Sequence, residues 1–213
     1  MQGIERIENF NNGITIVLMA LFTIVFLLKG LNADKLKGFA FSFFNKAFVE
    51  KEVEENMSFF KTFYGIIFIF SVAVLALVVT NFLQYQDPTN PQEIIQYWAI
   101  LLILFLYFLI KWVLENVLAA LFLIKEEVRF FLISKSTYFY TVSLMLFIAY
   151  VLFEYTGLKP TYLYYFTCFL FVLRFLIQIV NNKKLIFSKL FYFILYLCAF
   201  EIAPLFILFK LML

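Results

Sequence analysis

The 213-residue chain has no histidine, and its only aspartates are Asp34 and Asp87. That removes His-ligated haem, His-based zinc sites and every arrangement in which an imidazole activates a serine or cysteine. Cysteine is nearly missing as well. Cys168 and Cys198 each lie inside an apolar run, too isolated for metal-ligand spacing or an extracellular disulfide framework, and both read as small buried hydrophobes. Charge is sparse, at 15% of residues against roughly 25% in soluble domains. There is no Gly-rich phosphate loop and no pair of neighbouring aspartates. An enzyme is therefore not expected, nor any cofactor or metal. The net charge of +3 points to no nucleic-acid partner, because the basic residues are spread over short segments between apolar runs.

What the chain has instead is apolar surface. Hydrophobic residues make up 65% of it, including 32 Phe, and the mean hydropathy is +0.96. A soluble protein of this length has too little interior to hide so much apolar area, so lipid must solvate part of it.

A bilayer core demands roughly 20 apolar residues per helical crossing, since unpaired backbone groups are costly in lipid. Six segments approach that length, at about 13–28, 62–83, 94–115, 137–155, 161–180 and 189–213. The chain reads as an all-α integral membrane protein, a single transmembrane domain over 1–213 built as a bundle of about six helices. The segment 116–136 is open to two readings, an extension of the third span or a separate element. The N-terminal sequence MQGIERIENFNN is mixed in charge, and no small-residue cleavage site follows the first apolar run. The first span is therefore expected to be retained.

Lys and Arg set the orientation. Twelve lie in the segments after spans one, three and five, whereas only Arg6, Lys159 and Lys210 fall on the other side. This bias predicts odd-numbered loops in the cytoplasm and both termini in the periplasm. Tyr97, Trp98, Tyr155, Tyr162, Tyr164 and Tyr165 gather at the expected outer interface, and Trp112, Tyr138 and Tyr140 at the inner one, as headgroup-zone girdles would.

The first cytoplasmic segment carries Phe39, Phe43, Phe44 and Phe48 at helical spacing, flanked by lysines. It predicts an amphipathic interfacial helix over about 35–55, lying on the leaflet or sealing the bundle. No internal repeat is visible, which argues against an inverted-repeat transporter.

Ionisable groups inside spans are costly and mark packed or functional positions. Four form a candidate cluster: Arg174, Glu201, Lys111 and Glu115. A rise of about 1.5 Å per residue brings Arg174 and Glu201 to similar depths on antiparallel neighbours, and Lys111 lies one turn before Glu115. Pro204, one turn beyond Glu201, predicts a helix kink. The cluster fits a structural lock between helices, an ion or proton pathway, or a lipid-headgroup groove.

The last span, with Leu195-Tyr196-Leu197-Cys198, then Glu201, Pro204 and Lys210, resembles the closing helix of a family of small multi-spanning inner-membrane proteins from Bacteroidota, described as domain of unknown function DUF4271. Length and hydropathy extend the resemblance over nearly the whole chain. It implies a multi-pass protein of the inner membrane and brings no established activity. The expected role is a non-enzymatic subunit or scaffold of a larger envelope complex, such as one for protein secretion or gliding motility. Its partners would be the lipid bilayer and other membrane subunits or copies of itself. The alternative is a small ion-coupled transporter or channel using Arg174, Glu201 and Lys111.

Overall fold

The computed structural model describes residues 12–43, 45–54, 62–86, 93–121, 125–156 and 160–181, and all regular structure among them is helical. Five helices are long and apolar enough to cross a membrane, over Gly13–Leu31, Thr62–Tyr85, Ile94–Glu115, Phe130–Thr156 and Thr161–Asn181. They coincide with the first five expected spans. The sixth, at 189–213, lies outside the described residues together with Glu201 and Pro204.

The first span is α1 (Asn12–Leu31), which runs three residues past the end of its apolar run and one before its start. Asn32 ends it and starts the next helix: its side-chain oxygen accepts from the Lys35 N–H at 2.9 Å, capping α2 (Ala33–Ala40). Asp34 in the first turn of α2 adds a favourable charge–dipole contact. Asn45 repeats the device, accepting from the Phe48 N–H at 3.2 Å at the start of α3 (Lys46–Glu54). The expected single helix over 35–55 is thus two short helices with a turn between them. Ser42 and Asn45 are the cause, since their side chains favour turns and caps over helix interiors.

The remaining spans are α4 (Thr62–Gln86), α5 (Glu93–Leu121), α6 (Lys125–Thr156) and α7 (Pro160–Asn181). The segment 116–136 resolves into an extension of α5 to Leu121 and the opening of α6 from Lys125. At 32 residues, α6 is about 48 Å long, well beyond the hydrocarbon thickness of about 30 Å.

Cross-helix contacts show that the spans alternate in direction. Lys35 on α2 meets Tyr64 at the start of α4, and Asn181 at the end of α7 meets Tyr138 in the first half of α6. At the other end of the bundle, Tyr164 near the start of α7 bonds Asn81 near the end of α4. The end carrying α2 and α3 also holds Lys29, Lys35, Lys37, Lys46, Lys51 and Lys135 and is hereafter the basic end.

Helices α4 and α6 form the centre: 56% and 67% of their spanning windows are buried, against 17%, 6% and 17% for α1, α5 and α7. Small and hydroxylated residues allow this. On α6, Ser134, Thr137, Thr141 and Ser143 are fully buried, and each hydroxyl donates to the carbonyl four residues back. On α4, Ser71 and Thr80 do the same. Satisfied within their own helix, these groups can face the core without a desolvation penalty, and their small volume permits close helix approach.

That small-residue face of α6 receives α2 and α3. The Thr141 hydroxyl is shared between the carbonyls of Phe39, at 2.7 Å, and Thr137, at 3.0 Å, while the Ser42 hydroxyl lies 2.5 Å from it. Phe39 is fully buried inside a ring of Phe48, Phe63, Tyr64 and Tyr140. Phe43 and Phe48 are partly buried against the same core, and Phe44 lies outside the described residues. The segment is docked on the bundle and caps it.

Helix phase also corrects the aromatic girdles. Trp98, Trp112, Tyr155, Tyr162 and Tyr165 are exposed, as interfacial rings should be. Tyr97, Tyr138 and Tyr140 are buried core residues instead, because they point to the bundle side of their helices.

Candidate functional site

On α5, Leu104, Phe108, Lys111 and Glu115 recur every three or four residues and form one stripe. On α7, Cys168, Phe171, Phe175 and Gln178 do likewise, with Arg174 beside them. Because α5 packs chiefly on α4, and α7 chiefly on α6, these stripes flank a cavity floored by Phe68 and Leu75 of α4 and by Lys135, Ser136, Phe139 and Tyr140 of α6. Its volume is about 520 Å³, within the range of about 300–1,000 Å³ typical of small-molecule sites.

Three of the four residues of the expected charge cluster, Lys111, Glu115 and Arg174, line this cavity. The fourth, Glu201, lies outside the described residues, and so does the expected Arg174–Glu201 pair. Sequence reasoning missed Lys135, which it counted only among the basic residues of the segment after the third span. Lys135 belongs to α6, is 7% exposed, and its Nζ lies 2.9 Å from the Glu115 carboxylate. The signal was available in the chain: Lys125–Lys135 is helix-forming sequence, and Lys135 opens the serine–threonine face that follows it.

The Lys135 backbone contributes too. Its carbonyl accepts from the Arg174 guanidinium at 3.2 Å, and that guanidinium also lies over the Phe139 ring, 5.3 Å from its centroid. Lys111 places its ammonium 5.8 Å from the centroid of Tyr107. Ring faces stabilise cations that the bilayer cannot solvate. Among the described residues, the lining therefore carries three cations and one carboxylate. The described part of the lining is thus net positive.

A second buried polar cluster fastens the cap. Glu52 on α3 is 1% exposed. It accepts from the Tyr64 hydroxyl at 2.5 Å and lies 3.5 Å from Lys35, whose ammonium donates to the Tyr64 oxygen at 3.0 Å. The cluster ties α2 and α3 to the first turn of α4, with each member engaged by the other two. Its closed geometry reads as structural.

No curated protein and no solved structure matches the chain. The family described as domain of unknown function (DUF4271) matches residues 14–212, from the first turn of α1 to the penultimate residue. With nearly every residue inside that match, the chain belongs to this family.

Proposed function

We propose that the chain is a non-enzymatic, multi-pass subunit of a larger assembly in the inner membrane, with its basic end in the cytoplasm and its termini in the periplasm. The observation that carries this reading is the bareness of α5. Only 6% of its spanning window is buried, and Ile95, Leu102, Leu106, Ile110 and Val113 make an exposed stripe along its length. A span that packs on α4 with one side and leaves an apolar face open along the other is a natural place for another subunit's helix. The positive-inside bias supports the orientation, and the docked cap gives the cytoplasmic side a defined surface.

The test is purification of the tagged chain from its native membranes in mild detergent, with a photo-crosslinking residue at position 106. A stoichiometric partner that crosslinks there supports the reading. A chain that runs alone and crosslinks only to lipid overturns it.

The cavity favours a second reading, a small transporter or ion-coupled channel using Lys111, Arg174 and Glu201. The two part on Glu201→Gln. Under the subunit reading this variant lowers abundance or assembly. Under the transport reading the protein still accumulates and loses flux in vesicles.

A further inference from the structure

The cavity is polar at one end and apolar at the other. Along α7, Cys168 to Gln178 spans ten residues, about 15 Å of rise. Arg174 and Gln178 lie towards the basic end, level with Lys135 and Ser136 near the start of the α6 span and with Lys111 and Glu115 at the end of the α5 span. Leu75, Leu104, Cys168 and Phe171 lie towards the bilayer centre. The ionic end thus lies within about 10 Å of the basic edge of the spans, with the apolar end further along the hydrocarbon, and the rim residues Val172 and Phe175 are exposed on the flank.

We propose that this cavity holds one anionic phospholipid from the leaflet at the basic end, with its phosphate against Lys111, Lys135 and Arg174. The acyl chains run along the apolar half and leave over the α7 rim. A free phosphate answers the cations but leaves the apolar half empty. A lipid without net charge fills that half but matches the excess of cations among the described residues less well. A guanidinium carries five N–H donors and an ammonium three, so contacts to protein groups and to a phosphate coexist at the same side chain. Glu115 keeps Lys135 in place, and its carboxylate, one turn nearer the basic edge than Lys111, disfavours a phosphate held at that edge. The inference stands apart from the subunit reading, because it needs only the cavity and the bilayer.

The test uses the full chain in detergent, followed by native mass spectrometry with phosphatidylglycerol or phosphatidylcholine of the same acyl chains. Phosphatidylglycerol should be retained at one per chain, with a preference of at least about tenfold, the factor that one charge-assisted hydrogen bond supplies. Lys111→Gln with Arg174→Gln should reduce the preference to within about twofold. Lys29→Gln with Lys37→Gln, which removes the same charge from exposed positions at the same end, should leave it intact.

If the first pair of substitutions prevents folding, Cys168 decides the question, since it is exposed, not buried as its apolar run suggested, and lines the cavity. In a Cys198→Ser protein with the cations intact, phosphatidylglycerol should slow its modification by N-ethylmaleimide, and phosphatidylcholine should not. Equal retention or protection by both lipids overturns the proposal, as does equal loss of preference in the Lys29/Lys37 variant. Displacement of the lipid by inorganic phosphate makes this a free-anion site and overturns it too. Absence of both retention and protection means that something other than lipid, such as residues 182–213, fills the space.

Discussion

Replacing Phe39 with Ala should undock the cap without unfolding the spans. The side chain is fully buried, and its ring packs against four others from α3, α4 and α6. Truncating a buried Phe costs about 3–5 kcal/mol. Because the ring bridges α2 to helices that are held elsewhere, that loss falls on the docking equilibrium of α2 and α3. At 1.4 kcal/mol per factor of ten, the open population rises roughly 100- to 4,000-fold, or reaches the unprotected limit if docking is weaker than that. Hydrogen–deuterium exchange read on the 33–43 peptide measures this directly. Phe41→Ala is the control: it lies two residues away and is 57% exposed, so its effect should stay within about 0.5 kcal/mol. Unchanged exchange in Phe39→Ala would refute the docking argument. An equal acceleration in α4 and α6 peptides would refute its confinement to the cap.

Further variants probe the other contacts. Glu115→Gln leaves the Lys135 ammonium without the carboxylate 2.9 Å away in a site where both side chains are largely buried. A loss of about 3–5 kcal/mol is expected, largely recovered in Glu115→Leu with Lys135→Met, and thermal melts in detergent would expose the idea as wrong if the single variant costs under 1 kcal/mol. Tyr164→Phe removes a hydroxyl shared between the Asn81 carbonyl, at 3.0 Å, and its side-chain oxygen, at 2.7 Å. A cost of about 1 kcal/mol is predicted, and a double-mutant cycle with Asn81→Ala should show coupling rather than additivity. The buried Tyr140 hydroxyl makes no hydrogen bond among the described residues, so Tyr140→Phe should be neutral or stabilising by up to about 1 kcal/mol; a lower melting temperature contradicts this. For orientation, single cysteines at Ala47 and Asn90, in a chain with both native cysteines changed to serine, should differ towards an impermeant maleimide in spheroplasts. Position 90 should label in intact spheroplasts and position 47 only after lysis. The reverse pattern inverts the proposed topology.

The sequence by itself determined the class and the five described spans. Apolar length is a one-dimensional property, and the backbone's need for internal hydrogen bonds in lipid turns it into helices directly. Lys and Arg spacing likewise marked the end of the bundle that gathers positive charge. The cap was legible only in part. The phenylalanine spacing showed an amphipathic segment, but the break at Ser42–Asn45 depends on side-chain capping, which competes locally with helix continuation. Tertiary structure alone decided which way each face points. Tyr97, Tyr138 and Tyr140 resemble interfacial aromatics in sequence and are core residues in space, because burial follows rotation about the helix axis and contact with neighbours. The candidate site shows the same division. Lys111, Glu115 and Arg174 stood out as charges in apolar runs, whereas Lys135 joined them only when α6 proved to begin at Lys125 and to pass beside α5 and α7. Composition records that charges are costly in a bilayer, but which of them share one cavity depends on helix packing between residues distant along the chain.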